Sequence, residues 1–147
     1  MSRRRHWHDA IKDASAVQSA AVWAATEVQR LVGERRLVVP PPLRPGFQKL
    51  LREGPNSPVV AAFTQFEAAL REYWAEVLSR STTPPMRDLV TALASRQKIP
   101  SRITADVHRV RRHRNAAVHD GIVVDAVDAE TARRALGLFL ARLPDWD

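Results

Sequence analysis

The chemistry open to this chain centres on charged side chains that fall where the surrounding pattern asks for apolar ones. The apolar stripe Ile103, Val107, Val110, Ala117 and Val118 is interrupted by Arg114. A guanidinium is costly to bury alone, so Arg114 needs a paired carboxylate or a stripe that opens into a cleft. Glu67 is a candidate partner, because it falls on the line Phe63, Glu67, Leu70, Trp74 and Val77 of another predicted helix. Either the two form a buried or half-buried ion pair, or Glu67 turns sideways into solvent. His108, Arg109, Arg111, Arg112 and His113 form a basic run just before Arg114. Such a run is either a solvated helix face or a stripe of positive charge that an RNA backbone would follow. His6 and His8 flank Trp7 and could bind a metal if a further ligand joined them. No phosphate-cradling glycine loop, His-Glu-x-x-His pattern or serine nucleophile elbow occurs.

Proline and glycine divide the chain into the elements that must hold these residues. Trp7, Ala10, Ala14, Val17, Ala21, Ala24, Val28 and Leu31 recur at three- and four-residue steps, the seam of a long helix ended by Gly33. Residues 34–46 carry three successive prolines and read as a stiff connector or exposed arm. A short helix fits Phe47 to Glu53, before the Gly54-Pro55 break. Ser57 is placed to cap the next helix, with Pro58 at its first position, and the pattern runs to about Arg80. Thr82-Thr83-Pro84-Pro85 interrupts it, and a helix resumes from Met86 to Arg96 through Leu89, Val90 and Leu93. Pro100 opens a further helix that Gly121 stops in a left-handed conformation. After the extended link Ile122-Val123-Val124, Asp128 caps a last helix with the stripe Ala132, Leu136, Phe139 and Leu143. The expectation is one all-α domain over residues 1–147. Its main helices form an antiparallel four-helix bundle, with a Pro-rich connector over 34–56 and short accessory helices.

Composition sets the outer bounds. With 147 residues, 45% of them hydrophobic and 27% charged, the chain can bury a core and is too apolar for global disorder. The absence of cysteine excludes disulfides and fits a reducing cytoplasm. Arg3, Arg4 and Arg5 could pass for the start of a signal peptide, but an alanine-rich amphipathic pattern follows instead of a greasy segment. The least polar run, from Ala14 to Ala25, is broken by Ser15, Gln18 and Ser19, so no membrane span is expected and the chain reads as cytoplasmic. The net charge of +7 comes from twenty Arg and three Lys. Arginine is the better fork for phosphate, which favours nucleic acid as a partner; a GC-rich coding bias would produce the same composition.

Arg114-Asn115-Ala116-Ala117-Val118-His119 resembles the Arg–(four to six residues)–His signature of the HEPN superfamily, including the polar residue that often follows the Arg. Its place late in the helix before the final one also agrees. Phe66-Glu67-Ala68-Ala69-Leu70-Arg71 is similar to a Phe-Glu-x-x-Leu-Arg pattern of an earlier helix in several HEPN groups. The likeness covers about residues 57 to 143; nothing in the first helix is diagnostic, and the Pro-rich connector has no evident counterpart.

The resemblance implies metal-independent cleavage of RNA without a cofactor, in a toxin or phage-defence effector, by a homodimer whose Arg–His pairs meet in one cleft. In that reading His119 serves as acid or base, Arg114 offers its fork to phosphate oxygens, and Asn115 orients either partner or the sugar. An antitoxin or other partner protein is a further expectation. The other classes are a non-catalytic HEPN module that binds RNA, a nucleotide or a protein, and a helical scaffold in which Arg114 and Glu67 pair structurally. One departure stands out: toxins modified by a nucleotidyltransferase antitoxin carry a Tyr two residues after the His, where this chain has Gly121 and its single tyrosine is Tyr73. Spacing raises a difficulty as well. On a regular helix five residues turn by about 500°, leaving Arg114 and His119 some 140° apart, whereas Asn115 and His119 share a face. Either the helix unwinds before His119, or the working pair forms across a dimer.

Overall fold

Proline removes a backbone donor and glycine admits the left-handed conformation, and several helix boundaries of the computed structural model lie beside one of them. The structure describes residues 2–147. The helices are α1 (Arg3–Gly33), α2 (Arg44–Glu53), α3 (Ser57–Glu72), α4 (Met86–Arg96), α5 (Ser101–Asn115) and α6 (Ala129–Ala141). Among the described residues no strand occurs, so the protein is all-α.

Helix direction follows from what meets at each end. Arg3 at the start of α1 donates to Glu72 at the end of α3 at 2.8 Å. Further along, a Cβ at Gly54 would lie 3.2 Å from Val22 of α1, so α1 and α3 run antiparallel. α5 is antiparallel to α3 too, since His113 near its end reaches Asn56 while Gln97, just before its start, reaches Tyr73. α6 returns alongside α3, and the chain beyond it sets Trp146 edge-on to Tyr73 with ring centroids 5.0 Å apart.

The core lies between α1, α3, α5 and α6, with α4 packed beside α5. It contains Ile11, Phe63, Phe66, Leu70, Leu89, Leu93, Val107, Val110, Leu136 and Phe139, all buried. Phe66 and Phe139 meet edge-to-face at 5.6 Å. Each such side chain contributes about 1.5–3 kcal/mol of apolar burial, so these helices stand by tertiary packing more than by propensity. The four stripe positions expected of the last helix are all buried, and Asp128 caps it by accepting the Thr131 N–H at 2.7 Å.

Several local expectations are corrected. In α1 the buried line is Ile11, Ser15 and Ala25, whereas Val17 of the expected seam is 64% exposed. Alanines lie on both sides of that line, so spacing alone could not choose the face. α2 begins at Arg44 rather than Phe47, because Pro45 in its first turn has no N–H that needed a partner. Ser57 does not cap α3: it is already helical, and its hydroxyl donates to Gly54 O at 2.8 Å. The tight turn Gly54–Asn56 joins α2 directly to α3, and Asn56 at the cap position is itself helical in backbone and makes no capping bond. α3 does not continue regularly to Arg80. After Glu72 it widens into a turn over Tyr73–Val77, closed by the Leu78 N–H to Tyr73 O at 3.3 Å. The following loop is lashed back onto α3 by Trp74 Nε1 to Thr82 O and Arg71 Nη1 to Pro84 O, both 3.0 Å.

Candidate active site

The candidate site is built on the last turn of α5 and the segment after it. α5 starts behind Pro100, whose carbonyl accepts the Thr104 N–H. It stays regular to Asn115 and then widens over Ala116–Asp120, closed by the Gly121 N–H to Ala116 O at 2.9 Å. Gly121 has φ +71°, the left-handed conformation that ends the helix. A turn closed between residues five apart holds about one residue more than an α turn, so each residue advances by less angle. Over three steps to His119 this removes roughly 60° of the 140° separation, bringing positions 114 and 119 toward one side.

Arg114 is half-buried and donates from Nη1 to Asn115 Oδ1 at 3.1 Å. Its Nε is fully buried without a hydrogen-bond partner, while His119 is exposed. The structure thus joins Arg114 to Asn115 and places His119 on the open part of the wide turn. That turn also walls a cavity of about 490 Å³, in which Ala117, Val118 and Gly121 face Arg52, Asn56 and Ser57. Sequence reasoning missed this cleft, because α2 and the start of α3 reach it only through the fold.

The pair between Glu67 and Arg114, one of two alternatives the sequence left open, is not formed. Glu67 accepts from Arg71 one turn along α3, at 3.0 Å. Its side chain is 27% exposed, so it has a local partner at the rim and no reason to cross the core.

The basic run divides by direction. His113 points inward and is 3% exposed, so it cannot meet RNA at the surface. Its Nδ1 accepts the Val127 N–H at 2.9 Å, and its Nε2 lies 3.1 Å from Asn56 Oδ1. Since Nδ1 accepts, Nε2 carries the hydrogen and donates, which describes a neutral ring. Burial pushes its pKa down, Arg109 adds to this, and Asp125 opposes it. Arg109 turns to the loop before α6, binding Asp125 at 3.1 Å and Ala126 O at 3.2 Å. His108, Arg111 and Arg112 remain on the side of α4, with His108 Nε2 3.4 Å from Thr91 Oγ1. Burial lowers the pKa of His108, and Arg111, Arg112 and Arg87 push it the same way.

His6 packs edge-on to Trp7, while His8 lies close to Gly137. Among the described residues no group of three or more His, Asp or Glu side chains could hold a metal ion. No helix there is long and apolar enough to cross a membrane. Comparison of the chain with models of protein families, with curated proteins and with solved structures gave no match.

Proposed function

We propose that the protein is an endoribonuclease with a HEPN-like four-helix core, acting on RNA without a metal cofactor, as a toxin or phage-defence effector. The observation that carries this reading is the arrangement at the end of α5. The Arg114 guanidinium is anchored to Asn115 at 3.1 Å, and the wide turn ending at Gly121 carries an exposed His119. A fork held by its neighbour is pre-set for phosphate oxygens, and an exposed imidazole is free to move a proton.

In the proposed reaction a ribose 2′-hydroxyl loses its proton and its oxygen bonds to the adjacent phosphorus. The bond from phosphorus to the 5′-oxygen breaks, and that oxygen takes up a proton. The products are a 2′,3′-cyclic phosphate and a 5′-hydroxyl. Arg114 stabilises the anionic phosphorane through its terminal nitrogens. His119, exposed on the wide turn, serves as the acid for the leaving oxygen. The base is then supplied from another group, and a second copy of the chain meeting at this face is the natural source.

The test is incubation of purified protein with mixed RNA in EDTA, followed by end-group analysis. The parent should produce cyclic phosphate ends, and His119→Ala should slow cleavage by about 10²-fold or more. Equal cleavage by parent and variant overturns the reading. RNA binding without cleavage by either would replace it with a non-catalytic module.

A further inference from the structure

Several surface arginines are held by a carboxylate. Arg30 binds Glu27 and Glu34, Arg71 binds Glu67, Arg109 binds Asp125, and Arg134 binds Glu130. Around the junction of α4 and α5 three arginines instead lie near one another, close enough for Arg87 and Arg112 to act on Arg111. Among the described residues, Arg87, Arg111 and Arg112 form no ion pair.

These three act as one group. Arg87 and Thr91 are one turn apart on α4, and the Thr91 hydroxyl lies 3.4 Å from His108 Nε2 on α5. Arg111 Nε reaches His108 Nδ1 at 3.4 Å, and Arg112 follows one turn after His108. Burial lowers the Arg111 pKa, and the charges of Arg112 and Arg87 lower it further, as expected for cations crowded without an anion. Such crowding is unfavourable in the free protein and is relieved when a polyanion is bound.

We propose that α4 and α5 together form a track for the phosphodiester backbone of single-stranded RNA, gripped by Arg87, Arg111 and Arg112. This deepens the ribonuclease reading and rests on it. The direction of the track follows from helical spacing. His108, Arg112, Asn115 and His119 succeed one another at steps of four, three and four residues, so the basic face leads along α5 to the candidate site over about 16 Å. A protein partner fits this face less well, because a stable protein interface needs an apolar centre and the group here is polar throughout. The track differs from the basic run visible in the sequence. It omits Arg109 and His113, whose groups are already bound within the protein, and it adds Arg87 from a different helix.

The experiment measures binding of a fluorescent single-stranded 2′-fluoro RNA, which lacks the attacking hydroxyl and so stays intact. Arg87→Gln/Arg112→Gln removes two charges from exposed positions. Arg30→Gln/Arg134→Gln removes two charges that already have carboxylate partners. The first variant should lose affinity about tenfold or more. Its dependence of log affinity on log salt should flatten by about 1.4, from roughly 0.7 per phosphate contact. The second should bind nearly as the parent does. Equal losses in both variants would reduce the effect to net charge and overturn the track. Cleavage of ordinary RNA by the same parent preparation keeps the two readings apart: cleavage with equal losses removes the track alone, whereas neither cleavage nor binding by the parent removes both.

Discussion

His113 accepts the Val127 backbone N–H on Nδ1 at 2.9 Å, a bond that ties the end of α5 to the chain entering α6. Its other nitrogen reaches Asn56, so one buried ring joins α5, the start of α3 and the approach to α6. His113→Ala would leave the Val127 N–H and the Asn56 carbonyl without this partner and open a void. The expected cost is about 2–4 kcal/mol, measured as a lower midpoint in a urea titration. An unchanged midpoint would show that the ring is not a structural tie.

The same ring makes stability depend on pH. Its folded pKa is depressed below the ordinary value of 6.5, so the folded state binds a proton less readily than the unfolded one. The contribution of the neutral ring is complete above about pH 6.5 and declines as pH falls below it. Urea midpoints between pH 8 and 5 should therefore fall in the parent, and more shallowly in His113→Ala.

Glu72 sets a second, more acidic window. The hydrogen bond from Arg3, helped by Trp146 Nε1 at 3.0 Å, pulls its pKa from 4.5 to about 2. The stabilisation is present above about pH 4.5 and is lost as pH falls toward 2. Arg3 is partly solvated, so the pair contributes less than the shift alone implies. Glu72→Gln should be less stable than the parent at pH 7 and converge with it in acid, as followed by circular dichroism.

Glu67→Ala is expected to cost under about 1 kcal/mol, the scale of a pair one turn apart at a helix surface. A loss of about 3–5 kcal/mol, as for breaking a buried pair, would instead place Glu67 opposite Arg114. Denaturant unfolding separates the two values directly.

Gly121→Ala tests the turn that presents His119. The added Cβ would meet nothing within 4 Å, so the cost is purely conformational, from φ +71°. About 1–2 kcal/mol is expected. In the ribonuclease reading cleavage should fall by more than this loss of folded protein accounts for, because the wide turn is what brings positions 114 and 119 toward one side.

Much of the architecture was legible because its causes are local. Pro100, Gly121 and Asp128 act on the few residues beside them, and apolar side chains at helical spacing must be buried somewhere. Hence both bounds of α4, the starts of α5 and α6, and the core positions of α6 follow from sequence. The adjacency of Arg114 and Asn115 was legible for the same reason, although not the hydrogen bond between them. Which partner a polar group takes was not legible, because it depends on what lies across a gap between helices. Glu67 takes Arg71 beside it instead of Arg114; His113 leaves the basic run and turns inward; Arg87 joins Arg111 and Arg112 from another helix. Even the widening of α5 before His119 was left open by spacing. Helix spacing determines the direction in which a side chain leaves its own helix, and only the packed neighbours decide which atoms wait there.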